Sequence, residues 1–244
     1  MPRFFTPTDG LGDGIITIRG EDAHHIARAL RMAEGDTVTV CDMQGREHTC
    51  RLDKIRDEEV ICRILETREG ATEPPVHITL YMAYPKGDKL ETVVQKAVEL
   101  GASEIVPFES SRCIKRPSPE KAERNTARLS RIAEEAAKQC GRSRIPEVRM
   151  PVSFSEALES ASRCDLAIFC YEGDGTRSLK QILGEAQQTR TVSVVVGCEG
   201  GFSREEAEAA AERGFAMANL GRRILRCETA PAFALSSIIY HFEL

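Results

Sequence analysis

Two apolar runs that each break into a glycine-led loop constrain this chain more than any other feature. Residues 192–196 (VSVVV) lead into Gly197, Cys198, Glu199, Gly200 and Gly201. Residues 215–220 (FAMANL) lead into a second loop, residues 221–229, with the sequence GRRILRCET. Between them Ser203, followed three residues later by Glu206, reads as the capped start of a helix, and another helix follows the second loop. A third run, residues 165–170, ends at Tyr171, Glu172 and Gly173. Short continuous apolar runs between turn signals mark buried strands. Glycine-rich loops at the carboxyl ends of such strands are where an open α/β sheet takes its ligand.

The chain from residue 77 onward supports that architecture. Residues 77–84 (HITLYMAY) and 104–108 read as strands. Residues 86–100 form an amphipathic helix with Leu90, Val93, Val94, Ala97 and Val98 on one side and Gly101 as its terminator. Ser118 and Pro119 open a long basic helix running to about residue 139, and Ser153 with Glu156 caps a shorter one. Strand–helix alternation of this kind predicts a mainly parallel sheet covered by helices. Residues 1–68 differ. They carry short β-prone runs at 15–18, 37–40 and 60–64, interrupted by one helix at 22–31. On that helix Ile26 and Leu30 are spaced to share an inward face, while His24, Arg28 and Arg31 line an outward basic one. Residues 69–75 (EGATEPP) have the composition of a linker, which places the domain boundary there.

Several function classes drop out. The nine cysteines contain no C-x-x-C pair, so neither a zinc site nor a disulfide framework is expected, and no metal is assigned. No histidine falls between His77 and His241, which disfavours a Ser-His-Asp hydrolase at the glycine loops. Neither a G-x-x-x-x-G-K-[ST] nor a complete G-x-G-x-x-G occurs, so ATP and NAD are not advertised. The amino terminus lacks an apolar signal core and no run is long enough to span a bilayer; the expectation is a cytoplasmic protein without a membrane partner.

Net charge is −5, but residues 112–149 carry eleven Lys/Arg against five Glu. A basic stretch in an acidic chain suits phosphate contact, although a solvated helix face also explains such a run. Arg3 beside Phe4 and Phe5 adds basic and aromatic character to the small unit, a combination that suits looped RNA.

Five segments then carry a resemblance. They are MPRFF at 1–5, QKAVELG at 95–101, EEAAKQ at 134–139, GGFS at 200–203 and LGRRILRCETA at 220–230. With them the chain resembles, over essentially its whole length, the RsmE-type ribosomal RNA uridine-N3 methyltransferases of the SPOUT class. The resemblance implies a knotted carboxyl-terminal α/β domain (76–244), its mainly parallel sheet flanked by helices on both faces. A small PUA-like β-barrel (1–68) would bind RNA. It implies S-adenosyl-L-methionine held by Tyr171 and Glu172, by Val196, Gly197, Glu199, Gly200 and Gly201, and by Leu220, Gly221, Ile224, Leu225 and Arg226. It also implies a homodimer and, as partner, ribosomal RNA or the small ribosomal subunit.

On this reading the proton on uridine N3 goes to Glu199, Glu228 or solvent, and Arg226 or Arg223 stabilises charge developing on the base. Arg3, His24, Arg28, Arg31 and Arg142 are the expected RNA contacts. The alternative is a non-catalytic RNA-binding assembly factor on the same fold. Two residues depart from the family pattern. Cys198 stands where proline is usual and Cys227 where threonine is usual, and both flank the expected cofactor site.

Overall fold

In a computed structural model, the structure describes residues 1–6, 11–12, 14–56, 58–114 and 117–244. Lys115 and Arg116 of the basic segment lie outside the described residues. The chain divides into two compact units, Met1–Glu73 with Ala137–Ile145, and Pro74–Ala136 with Pro146–Leu244.

The first unit is a six-stranded sheet in the order β1-β4-β5-β6-β3-β2. Its strands are β1 (Arg3–Phe5), β2 (Leu11–Gly12), β3 (Ile15–Arg19), β4 (Thr37–Cys41), β5 (Arg46–Ile55) and β6 (Glu59–Glu69). All pairings are antiparallel except β1 with β4. Alternate residues point inward, so Ile16, Ile18, Val38, Val40, Leu52 and Val60 are buried together with Phe4 and Ile26. Each such side chain contributes roughly 1.5–3 kcal/mol on leaving water. Phe4 therefore belongs to the core.

The expected helix at 22–31 is a single α-turn, α1 (Glu21–His24), that passes into a π-turn at His25–Ala29. The wider turn, closed by Leu30 N–H donating to the His25 carbonyl at 2.9 Å, breaks the four-residue spacing. Ile26 stays buried, Leu30 is exposed, and Met32 packs against the core instead.

Residues 137–145 join this unit because Glu73 holds them. Its carboxylate accepts from the Ser143 and Arg144 N–H groups at 2.9 and 3.1 Å and from the Arg142 guanidinium at 2.5 Å. Burial opposes the charge on Glu73, but Arg142 and those N–H groups outweigh it and hold the carboxyl below its usual range.

The second unit is an all-parallel sheet in the order β10-β8-β7-β13-β11-β14-β12, with β9 also on the edge of β8. The strands are β7 (His77–Ala83), β8 (Glu104–Glu109), β9 (Glu147–Val148), β10 (Val152–Ser153), β11 (Leu166–Cys170), β12 (Arg177–Ser178), β13 (Thr191–Val196) and β14 (Ala216–Asn219). Five consecutive residues of β13 are buried. Successive side chains point to opposite faces, so both faces of the sheet are covered. The cover comes from α2 (Lys89–Glu99), α3 (Pro119–Cys140, ending in the first unit), α4 (Phe154–Ala161), α5 (Leu179–Glu185), α6 (Arg204–Glu212) and α7 (Thr229–Phe242). Ser153 and Ser203 each make the expected capping box, with Glu156 and Glu206.

Strand order decides where a ligand can sit. The chain leaves β11, returns to β13 on one side of it, then crosses to β14 on the other. Because all three run parallel, their carboxyl ends lie side by side.

Candidate functional site

The three loops that leave β11, β13 and β14 enclose a cleft of about 870 Å³ within the second unit. Tyr171 and Glu172 line it from the first loop, Val196, Gly197, Glu199, Gly200 and Gly201 from the second, and Leu220, Gly221, Ile224, Leu225 and Arg226 from the third. All twelve residues expected at a cofactor site thus come together, with Arg223 beside them.

Local backbone explains the glycines. A Cβ on Gly197 would stand 3.1 Å from the Gly201 backbone and 3.2 Å from the Phe202 ring, so the loop closes tightly only without a side chain there. Phe202 in turn packs against Phe169 of β11, the two rings tilted with centroids 4.2 Å apart, anchoring the loop to the sheet. Gly221 has φ +108°, a conformation that favours glycine, and its N–H donates to the Asn219 side-chain oxygen at 3.3 Å.

Sequence reasoning missed Lys89 and Arg112, and both line the cleft. Lys89, at the start of α2, places its ammonium 2.9 Å from Glu199 and 3.4 Å from Glu228. Glu199 also accepts from the Lys86 N–H at 3.1 Å. Its burial opposes ionisation, but Lys89 and the N–H groups of Glu199 and Lys86 outweigh this and hold the carboxyl below its usual range. Glu228 does not line the cleft. It precedes α7, where its own N–H, the Cys227 thiol and Lys89 keep its carboxyl low as well. Arg112 donates to the Gly200 carbonyl at 2.8 Å. The signal for Lys89 was the pair Lys86 and Lys89 ahead of an otherwise amphipathic helix, but helix periodicity says nothing about what an amino-terminal lysine faces.

Arg222, Arg223 and Arg226 are exposed, and their guanidinium groups have no partner among the described residues. Ile224 between them is 83% exposed. Apolar surface beside uncommitted cations suits a flat ring bearing negative charge.

The expected RNA contacts separate into two groups. His24, Arg28 and Arg31 are exposed on and just after the α1 turn. Arg142 and Arg3 are engaged within the first unit. The Arg142 side chain is 5% exposed against Glu73, and Arg3 donates to Glu47 at 2.8 Å and to the Arg142 carbonyl at 3.2 Å. Both are internal ties of the first unit.

An RNA methyltransferase domain model matches residues 72–239, and an RNA methyltransferase PUA domain model matches residues 18–65. The Ribosomal RNA small subunit methyltransferase E of Bacillus subtilis is 35% identical over 232 residues, covering 93% of this chain and 91% of the relative. The chain belongs to the ribosomal RNA small subunit methyltransferase E family. A crystal structure of a Neisseria gonorrhoeae family member bound to S-adenosyl methionine is 32% identical with a TM-score of 0.86, covering 98% of this chain and 97% of that one. A Legionella pneumophila methyltransferase in complex with the bound cofactor SAM is 30% identical with a TM-score of 0.86, covering 98% and 96%. A crystal structure of a hypothetical protein reaches a TM-score of 0.90 at 34% identity, covering 99% and 98%. The family therefore spans both units of this chain.

Proposed function

We propose that this chain binds S-adenosyl-L-methionine in the cleft and transfers its methyl group to N3 of a uridine in small-subunit ribosomal RNA. The observation that carries the reading is the convergence of three parallel strand ends on one cleft, lined by all twelve residues expected at a cofactor site. Bound S-adenosylmethionine in the family structures supports the choice of cofactor. The residues fit that group. Gly197 leaves room for backbone to approach it, Val196 and Leu225 offer apolar walls, and Glu199 offers a carboxylate for a cationic or hydroxyl-bearing ligand. When bound, the cofactor supplies an activated methyl group, so positioning dominates the rest.

Uracil N3 lies on the pairing edge and is reached only in an unpaired base. Arg223 and Arg226, free of internal partners among the described residues, stabilise the negative charge left when N3 loses its proton. Glu199 and Glu228 make poor bases, since their surroundings hold both carboxyls below the usual range and so weaken them as proton acceptors. The proton goes to solvent. A row of exposed Lys121, Arg124, Arg128 and Arg131 on α3 supports RNA phosphate contact, as do the exposed His24, Arg28 and Arg31 of the first unit.

The threaded trefoil, the homodimer and the cytoplasmic location belong to the same reading. Exposed Phe233 and Tyr240 on α7 supply apolar surface for a second copy, and sedimentation velocity tests it. The function itself is tested by tritium-methyl transfer to small ribosomal subunits and to free RNA, with nucleoside analysis. Product at N3 of uridine is expected; methylation of another base or position overturns the reading.

A further inference from the structure

Cys198 is not a passive replacement in the glycine loop. The turn after β8, closed by Cys113 N–H donating to the Ser110 carbonyl at 3.1 Å, packs directly on that loop. Arg112 reaches the Gly200 carbonyl at 2.8 Å, and a Cβ on Gly200 would lie 3.0 Å from Arg112 Cβ. At this contact Cys113 and Cys198 are neighbours, and each thiol acts on the ionisation of the other. Ser110 stands beside both, its hydroxyl 3.2 Å from Cys113 Sγ. We propose that Cys113 and Cys198 form a hydroperoxide-oxidisable dithiol that closes to a disulfide and ties the glycine loop of β13 to the turn after β8.

The environment assigns the two roles. Cys113, the Gly200 N–H and Ser110 favour the Cys198 thiolate; together they outweigh burial and push its thiol down. Cys113, next to that thiolate and buried, is pushed up. Cys41, Cys50, Cys62, Cys164, Cys170 and Cys227 are all pushed up by burial. The thiolate is the nucleophile, so Cys198 reacts first. It attacks one peroxide oxygen, forming S–O as O–O breaks, and the departing hydroxide or alkoxide takes a proton from solvent. The Cys113 thiol then attacks the sulfenic sulfur, forming S–S as S–O breaks, and its proton leaves with the hydroxide as water. Two thiols and one hydroperoxide thus become one disulfide, one water and one water or alcohol.

Because Cys198 lines the cleft, the bridge also makes cofactor loading redox-sensitive; this part rests on the function proposed above. The test treats reduced full-length protein with one equivalent of hydrogen peroxide, blocks remaining thiols with iodoacetamide and maps peptides by mass. A single cross-link between the peptides of Cys113 and Cys198 is expected. Cys113→Ser, checked for an unchanged melting temperature, should instead give a dimedone adduct at Cys198. Oxidation of Cys198 no faster than that of Cys227, or an uncross-linked wild-type product, overturns the proposal. In calorimetry the oxidised protein should bind S-adenosylhomocysteine at least tenfold more weakly, with recovery on reduction; unchanged affinity overturns the redox-sensitive part. Failure of the reduced protein to bind would count against the cofactor reading alone, because the cross-link is read separately.

Discussion

Lys89 holds Glu199: its ammonium lies 2.9 Å from Glu199 Oε1. The same ammonium lies 3.4 Å from Glu228, so one cation at the start of α2 ties the loop after β13 to the residue before α7. With Lys89 removed, Glu199 in the cleft and Glu228 behind it lose their shared counter-charge, and the loop loses one of its anchors. The Lys89 side chain is 37% exposed, so solvent screening limits the effect. Lys89→Met should weaken S-adenosylmethionine binding by roughly tenfold at most, with an unchanged fold. Calorimetric affinities equal to wild type would remove Lys89 from the set of positioning residues.

The Glu73–Arg142 pair gives the first unit a defined acid sensitivity. Glu73 ordinarily titrates at 4.5 and is held lower in the folded chain, as is Glu47. Over that interval the unfolded chain binds more protons than the folded one. Their contribution is therefore complete above pH 4.5 and lost as pH falls through the folded values. Melting temperature should drop across that window, with a shallower slope in Glu73→Gln. Arg142→Ala, which strands a partly buried carboxylate, should cost about 3 kcal/mol. If Arg142→Ala keeps full stability and selectively loses RNA binding, its internal role is wrong.

The sequence made the ligand cleft legible because the cleft is built from runs of local signal. Buried strands, glycine breaks and capping boxes each leave a mark within a few residues, and Ser203 with Glu206 forms the box its spacing predicts. Contacts closed by tertiary folding left no such mark. β5 (REHTCRLDKI) is too polar to read as a strand, yet it pairs on both sides. Nothing local shows that Glu73, 69 residues away, comes back to meet Arg142. The π-turn at His25–Ala29 similarly displaced Leu30 from a face that simple helical spacing had given it. Cys198 stood out as a departure, but its partner Cys113 is on another strand end and could be found only in three dimensions.

The α3 row gives a salt-dependent signature. Lys121, Arg124, Arg128 and Arg131 lie three or four residues apart on an exposed face, spanning about 15 Å. Arg128 is paired with Glu91 at 2.9 Å, which leaves Lys121, Arg124 and Arg131 as the side chains to test. Replacing these three by Gln should lower RNA affinity and flatten the log-affinity against log-salt slope by about 2. S-adenosylmethionine affinity should not change. A slope equal to wild type would show that the row is only a solvated helix face.

The identity of the base is decided by pH profiles of two carboxylate variants. A general base works best when its pKa lies near the working pH. Glu199 and Glu228 both titrate below the usual carboxylate range, so neither is matched to taking a proton from uracil N3. With solvent as acceptor, kcat/KM should climb with pH and show no carboxylate limb between about pH 5 and 7. Glu228→Gln should keep that shape and stay within roughly threefold of wild type, because its pairing with Lys89 is partly exposed. Arg223→Ala should lower kcat by about 10²-fold across the whole range, as expected for a group that stabilises the anion. Glu199→Gln separates its two roles: weaker cofactor binding with the profile retained marks a ligand-holding carboxylate. A variant of either glutamate that binds cofactor normally but loses about 10²-fold or more in kcat would make that residue the base.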